Sequence, residues 1–262
     1  MDLHPEGFGS SVAFGTDGSQ QVGTVSTGIR LHASLWQGSA STWVDLDPGR
    51  FSNSEAYGVG GGQQAGYVEV GYPPHASVWT GSADSWVDLH PAGAWGSIAY
   101  AADGGQQIGV IYCGGEGNDW GIPHASLWSG SATSWVDLTP AGALRSAGVH
   151  MGSGYQVGWS LFPGDSASRA SLWSGSSASW VDLSRFVPPE YEDAYSKGVW
   201  SDGHYIYIVG YAHNTSDSRA NAIMWVGPVP EPASLVGLAT GLSALALRRR
   251  GRPVRGASHP RR

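Results

Sequence analysis

The sequence predicts an all-β fold, a five-bladed β-propeller built from four-stranded repeats of 43–49 residues, with a short hydrophobic helix near the C-terminus. Three observations predict it. The string HASLWSGSATSWVDL at His124 to Leu138 recurs as HASLWQGSASTWVDL from His32, as HASVWTGSADSWVDL from His75 and, without its His, as ASLWSGSSASWVDL from Ala170. Asp-Leu returns at Asp2, Asp45, Asp88, Asp137 and Asp182, with spacings of 43, 43, 49 and 45 residues. Forty Gly and thirteen Trp in 262 residues fit tight turns between aromatic strands and disfavour long helices.

Each unit reads as four strands. After Asp-Leu comes a loop and then a small-residue strand marked by Ser11/Ala13, Ser54/Ala56, Ser97/Ala99, Ser146/Gly148 and Ser196/Gly198, suited to an innermost position near a crowded axis. A glycine-containing turn leads to a second strand around Val22-Gly23, Ala65-Gly66, Ile108-Gly109, Val157-Gly158 and Val209-Gly210. The third and fourth strands are HASLW and WVDL. Their paired tryptophans, Trp36/Trp43, Trp79/Trp86, Trp128/Trp135 and Trp173/Trp180, flank a Gly/Ser-rich hairpin loop. If the two Trp of a pair face each other, Ser34, Ser77, Ser126 and Ser171 stand opposite Asp45, Asp88, Asp137 and Asp182. A cross-strand Ser–Asp hydrogen bond in every unit is then expected, and the Trp pairs are expected to pack between strands or blades. The fifth unit, ending in NAIMW at Trp225, lacks WVDL; Met1-Asp2-Leu3 would complete it, or the true chain begins earlier.

Composition narrows the function. Residues 1 to 230 carry twenty acids and seven basic residues, a formal charge of 7 − 20 = −13, which argues against binding nucleic acid or an anionic membrane by charge. Seven further Arg lie in Arg248 to Arg262. Lone Cys113 forms no internal disulfide. His32, His75 and His124 occupy equivalent positions in different units, too far apart for metal ligands, so no metal is expected. Phosphate-loop, nucleophile-elbow and HExxH motifs are absent, and no cofactor is expected. One Asp per unit in a fixed register reads as structural rather than as a glycosidase carboxylate pair. Binding residues are expected on the variable loops of one face: Trp95, Tyr191 to Asp193, and the insertion Cys113 to Pro123 with Asn118, Asp119 and Trp120.

From Val229 the composition changes. Pro230-Glu231-Pro232 precedes an apolar run, Ala233 to Leu247, and then Arg248-Arg249-Arg250. Arg after the run would hold that end in the cytoplasm and the repeats outside. These residues together resemble the PEP-CTERM sorting signal of Gram-negative bacteria. The resemblance implies export, transient inner-membrane anchoring, processing by an exosortase-type enzyme, and delivery to the cell surface or its exopolysaccharide. The tail Gly251 to Arg262 is longer than such signals usually carry, and Met1 to Ser10 lacks the features of a signal peptide. The repeats are similar to bacterial extracellular repeats with a His-Ala-Phe-Leu-Trp signature, Ser standing here for Phe. The expected organisation is a repeat domain over 1–228, a sorting segment over 229–250 and a basic tail over 251–262. The expected function is a non-enzymatic, exported binding module, for which the implied destination and the loop Trp, Asn and Asp make carbohydrate a candidate ligand; a glycan-processing hydrolase and a purely structural surface protein are the alternatives.

Overall fold

The computed structural model describes residues 1–49, 53–115, 121–217 and 219–229. The apolar run expected as a helix lies outside the described residues, and so do Pro230, Glu231, Pro232, Arg248, Arg249 and Arg250.

The described chain forms five antiparallel sheets in sequence order. The first comprises β1 (Ser10–Thr16), β2 (Gln21–Ser26), β3 (Leu31–Trp36) and β4 (Val44–Asp45); the second β5 (Ser54–Gly60), β6 (Gln63–Val68), β7 (His75–Trp79) and β8 (Val87–Asp88). The third comprises β9 (Gly96–Asp103), β10 (Gln106–Cys113), β11 (Ile122–Trp128) and β12 (Val136–Asp137). The fourth comprises β13 (Arg145–Gly152), β14 (Tyr155–Leu161), β15 (Arg169–Trp173) and β16 (Val181–Asp182), and the fifth β17 (Tyr191–Ser201), β18 (Tyr205–Asn214) and β19 (Ala220–Pro228). The innermost strands pack in succession, β1 on β5, β5 on β9, β9 on β13 and β13 on β17.

The expected propeller of five four-stranded blades is corrected at its fifth blade, and the closure that the sequence leaves open is not made among the described residues. Among the described residues the fifth sheet has three strands, and residues 2–3 add none to it. Ile223 stands opposite Gly210, where the other units place the Ser that anchors their short fourth strand. Nor do the sheets close on one another. Val12 and Phe14 on β1 remain 49% and 46% exposed. Val209 of β18 is 50% exposed, although its counterparts Val22, Ala65, Ile108 and Val157 are fully buried.

Every innermost strand carries a β-bulge at the same place, leaving Phe14, Tyr57, Tyr100, Val149 and Lys197 as the extra residues. The residue just before each bulge pairs with Gly23, Gly66, Gly109, Gly158 or Gly210. A Cβ on any of these glycines would lie 1.8–2.0 Å from a carbonyl oxygen of the innermost strand. The repeated apolar-Gly dipeptide therefore answers to backbone crowding. This register also corrects the fifth unit: Ser196 pairs with Gly210 and so takes the place of Ala13, with Ala194 in the place of Ser11.

The core lies between sheets. Trp79, Trp128, Trp173 and Trp225 each pack on the preceding sheet's apolar face, for example Trp128 against Val78 and Leu89. Trp36, Trp79, Trp128 and Trp173 are fully buried, and among the described residues their indole N–H groups find no acceptor. Burying ~150–250 Å² of ring at ~25 cal/mol per Å² yields about 4–6 kcal/mol, more than the ~1–3 kcal/mol cost of one unpaired N–H. Packing therefore decides these positions. The second Trp of each pair is half-buried and does hydrogen bond: Trp43, Trp86, Trp135 and Trp180 donate to Ser34, Ser77, Ser126 and Ser171 at 2.9–3.0 Å.

Between blades, Ser54, Ser97 and Ser146 of the innermost strands accept from the N–H of Ala33, Ala76 and Ala125 in the preceding sheet, at 2.8–3.0 Å. Replacing Trp128 by Ala is expected to cost about 3–5 kcal/mol, and Trp135→Ala distinctly less, because only the first ring is fully enclosed. Urea unfolding midpoints of the two variants check this; equal losses would contradict the burial assignment.

Candidate functional site

The repeated Ser/Asp register is as expected: Ser34, Ser77, Ser126 and Ser171 stand opposite Asp45, Asp88, Asp137 and Asp182. The expected bond between them is not formed. Each of these Ser hydroxyls accepts the Trp indole and donates to the carbonyl of the residue two before it, as Ser34 does to His32 at 2.9 Å. The carboxylates turn instead to the His of the third strand. His32 meets Asp45, His75 meets Asp88 and His124 meets Asp137, all at 2.9 Å. In the fourth unit Arg169 reaches Asp182 at 3.2 Å. The other carboxylate oxygen accepts the backbone N–H two residues on, from Asp47, His90, Thr139 or Ser184. Both oxygens of each Asp are thus committed, one to the third strand of its own sheet and one to the chain leading to the next. Part-exposed pairs of this kind contribute at most ~1 kcal/mol each.

The concave region is elsewhere. A cavity of about 420 Å³ is lined by Tyr100, Val110, Tyr112, Pro123, Ala147, Val149, Trp159 and Lys197. Three of these, Tyr100, Val149 and Lys197, are bulge residues, re-aimed by the extra residue in their strands. The aromatic surface runs on to either side. Phe14 and Tyr57 lie 5.3 Å apart, and Tyr57 and Tyr100 5.7 Å. On the other flank Trp159 meets Tyr195 edge-on at 6.4 Å, and Tyr195 stacks on Tyr211 at 5.0 Å. The chain's only Lys, Lys197, holds its ammonium 5.7 Å from the ring centres of Tyr195 and Tyr211.

Burial raises the pKa of Tyr100 and Tyr112, and the two phenols also hydrogen bond to each other. Burial, followed by the charge of Glu55, does the same for Tyr57 and Tyr67; Tyr67 donates to Glu55 at 2.8 Å. These phenols stay neutral at physiological pH and can donate hydrogen bonds.

Of the residues expected to bind, Asn118, Asp119 and Trp120 lie outside the described residues. Trp95 is half-buried, and its backbone N–H donates to the Tyr112 carbonyl at 2.7 Å, so it adjoins the cavity without lining it. Tyr112 and Pro123, at the two ends of the 113–123 insertion, do line it. Glu192 and Asp193 line a separate cleft with His213 and Asn214. Among the described residues no group of three or more His, Cys, Asp or Glu converges in a way that could hold a metal ion. Sequence reading did not single out the bulge residues. Their signal was the variable position that follows the small residue in the innermost strand, filled by Phe, Tyr, Tyr, Val and Lys in turn.

Residues 228–250 match the PEP-CTERM protein-sorting motif. The chain thus carries a signal for export and cell-surface display, processed by an exosortase-type enzyme. No curated protein matches the sequence. Among solved structures, the chain is similar to one in a nidogen/laminin complex, at 11% identity and a TM-score of 0.47, covering 81% of this chain and 80% of that one. It is also similar to TolB from Acinetobacter baumannii, at 8% identity and a TM-score of 0.44, covering 81% of this chain and 54% of that one.

The blade links generate a pH prediction. His90 stacks on His75 at 3.9 Å and bonds Ser97 at 2.9 Å. Burial, and then the neighbouring His75, hold its pKa below the usual value of 6.5. Asp88 is pushed up by burial, but the His75 bond and the His90 N–H outweigh this and leave it below the ordinary carboxylate value. His90 therefore contributes full stability above about pH 6.5 and loses it as the pH falls toward its folded pKa, whereas the contribution of Asp88 is lost only at lower pH, below about 4. The unit with Thr139 in the place of His90 bonds Ser146 at 2.9 Å without a titrating ring. His90→Thr is expected to flatten part of the decline in unfolding midpoint between pH 7.5 and 5.5. An unchanged pH profile would contradict the assignment.

Proposed function

We propose that this chain is a non-catalytic carbohydrate-binding module of the cell surface or extracellular matrix, and that the aromatic cavity between the innermost strands is its binding site. The observation that carries this reading is the convergence of bulge residues from successive sheets onto one cavity, with Trp159 and neutral Tyr hydroxyls beside them. Sugar rings offer an apolar face that stacks on aromatic rings and an edge of hydroxyls that need hydrogen-bond partners. The cavity volume lies within the usual ~300–1,000 Å³ range of ligand sites. Among the described residues its lining holds one cation, Lys197, and no carboxylate, whereas a glycosidase needs two acids. Tyr112 and Pro123, which flank the insertion carrying Asn118, Asp119 and Trp120, line the cavity, and these three residues, with Trp95, remain candidate contacts in this reading.

Residues 1–228 are the binding domain in this reading, 229–250 the sorting segment and 251–262 a basic tail. Ala233 to Leu247 anchors the chain in the inner membrane until processing, with Glu231 between its two prolines as the recognition feature and Arg248, Arg249 and Arg250 as the topological stop. Exopolysaccharide is then the ligand at hand once the chain is released.

The test is affinity electrophoresis of the full chain in gels containing purified bacterial exopolysaccharides, with Trp159→Leu and, on an outer turn, Ser131→Ala. Retardation by at least one polysaccharide is expected, weakened at least tenfold in Trp159→Leu and unchanged in Ser131→Ala. Equal retardation of all three proteins would remove the cavity as the site.

A further inference from the structure

Four of the five bulge positions hold apolar or phenolic side chains, Phe14, Tyr57, Tyr100 and Val149, while the fifth holds Lys197. That exchange places the chain's only Lys at the cavity, in a body with a formal charge of 7 − 20 = −13 over residues 1 to 230. Lys197 is exposed, and among the described residues it forms no ion pair. Nearby Asp193 is occupied otherwise: it lies 3.2 Å from His213 and accepts the N–H of Ser168 at 2.8 Å. The ammonium thus stands over two Tyr faces with its hydrogen-bonding capacity directed to solvent.

We propose that the cavity is selective for a carboxylated sugar, a uronic-acid residue, whose ring lies against Trp159 and Tyr100 and whose carboxylate meets Lys197. This rests on the carbohydrate reading above and adds the class of sugar. A hydrogen bond between two charged groups is about twice as strong as a neutral one. The acidic body adds long-range repulsion that is largely screened beyond ~8 Å at physiological salt, so the selectivity belongs to single acidic residues at the cavity rather than to polyanions in general. Lys supplies a point charge without the planar fork of Arg, which suits a carboxylate carried on a rotatable sugar ring.

The experiment is isothermal titration of the full chain with a glucuronate-terminated disaccharide, with its glucose-terminated counterpart, and with acetate as the carboxylate alone. Lys197→Gln is titrated in parallel, its unfolding midpoint checked against the parent. The parent is expected to bind the glucuronate form at least tenfold more tightly than the glucose form. Lys197→Gln is expected to lose that difference, its affinity for the glucuronate form falling at least tenfold to the level of its glucose form. Equal binding of both sugars by the parent, a preference that survives in Lys197→Gln, or full competition by acetate at the sugar's own concentration would overturn the acidic selectivity while leaving a sugar site. Binding of neither sugar would overturn the selectivity and the carbohydrate reading together.

Discussion

The contact between a bulged innermost strand and the glycine opposite it is the constraint on which the remaining architecture depends. Gly23, Gly66, Gly109, Gly158 and Gly210 all sit where a Cβ would strike a backbone carbonyl, and backbone cannot yield as the end of a long side chain can. That close approach holds the first two strands of each sheet together at the bulge. It also decides which way the extra residue points. The same crowding continues between sheets, where a Cβ on Gly58 would lie 2.5 Å from the Tyr100 carbonyl oxygen. Structure and recognition therefore share one feature: the bulge that accommodates the packing also turns Tyr100, Val149 and Lys197 into the cavity.

Around that inner layer the repeat divides its chemistry by position. The first Trp of each pair is a packing residue, and the second is held by a Ser hydroxyl. The Gln of the second strand accepts the first glycine N–H of the outer loop, as in Gln64 to Gly81 at 2.8 Å and Gln107 to Gly130 at 2.9 Å. The last Ser or Thr before the second Trp closes the loop's 3-10 turn, as Ser134 does by donating to the Ser131 carbonyl. With Asp bound to His or Arg on one side and to the next blade's connection on the other, the repeated polar string is spent on architecture. Little of it is left for ligand chemistry.

This division explains what was legible in the sequence. Strand order, the Ser/Asp register and the role of Trp128 and its counterparts follow from a string repeated at nearly constant spacing, because identical residues must meet identical surroundings. The bonding partner of each Asp was not legible, since register places Ser34 opposite Asp45 but does not show that the His32 ring reaches the same carboxylate. Nor were the bulges, because alternation along a strand assumes one residue per partner. Lys197 and Tyr100 are invisible as a site until that extra residue rotates them inward. The loop variability that drew attention to the 113–123 insertion did lead to the neighbourhood of the cavity, through Tyr112 and Pro123. In the fifth unit the small-residue pattern slipped by two positions, because Ala194 and Ser196 are both small enough to fit either alignment.

The most direct test of the central constraint is the unfolding free energy of Gly109→Ala compared with that of Gly71→Ala. A Cβ at position 109 would lie 2.0 Å from the Ile98 carbonyl oxygen, whereas at position 71 nothing stands within 4 Å. The account predicts a loss of about 3 kcal/mol or more at Gly109, at the upper end of overpacking costs, and a change within about 1 kcal/mol at Gly71. Equal stability of the two variants would contradict it.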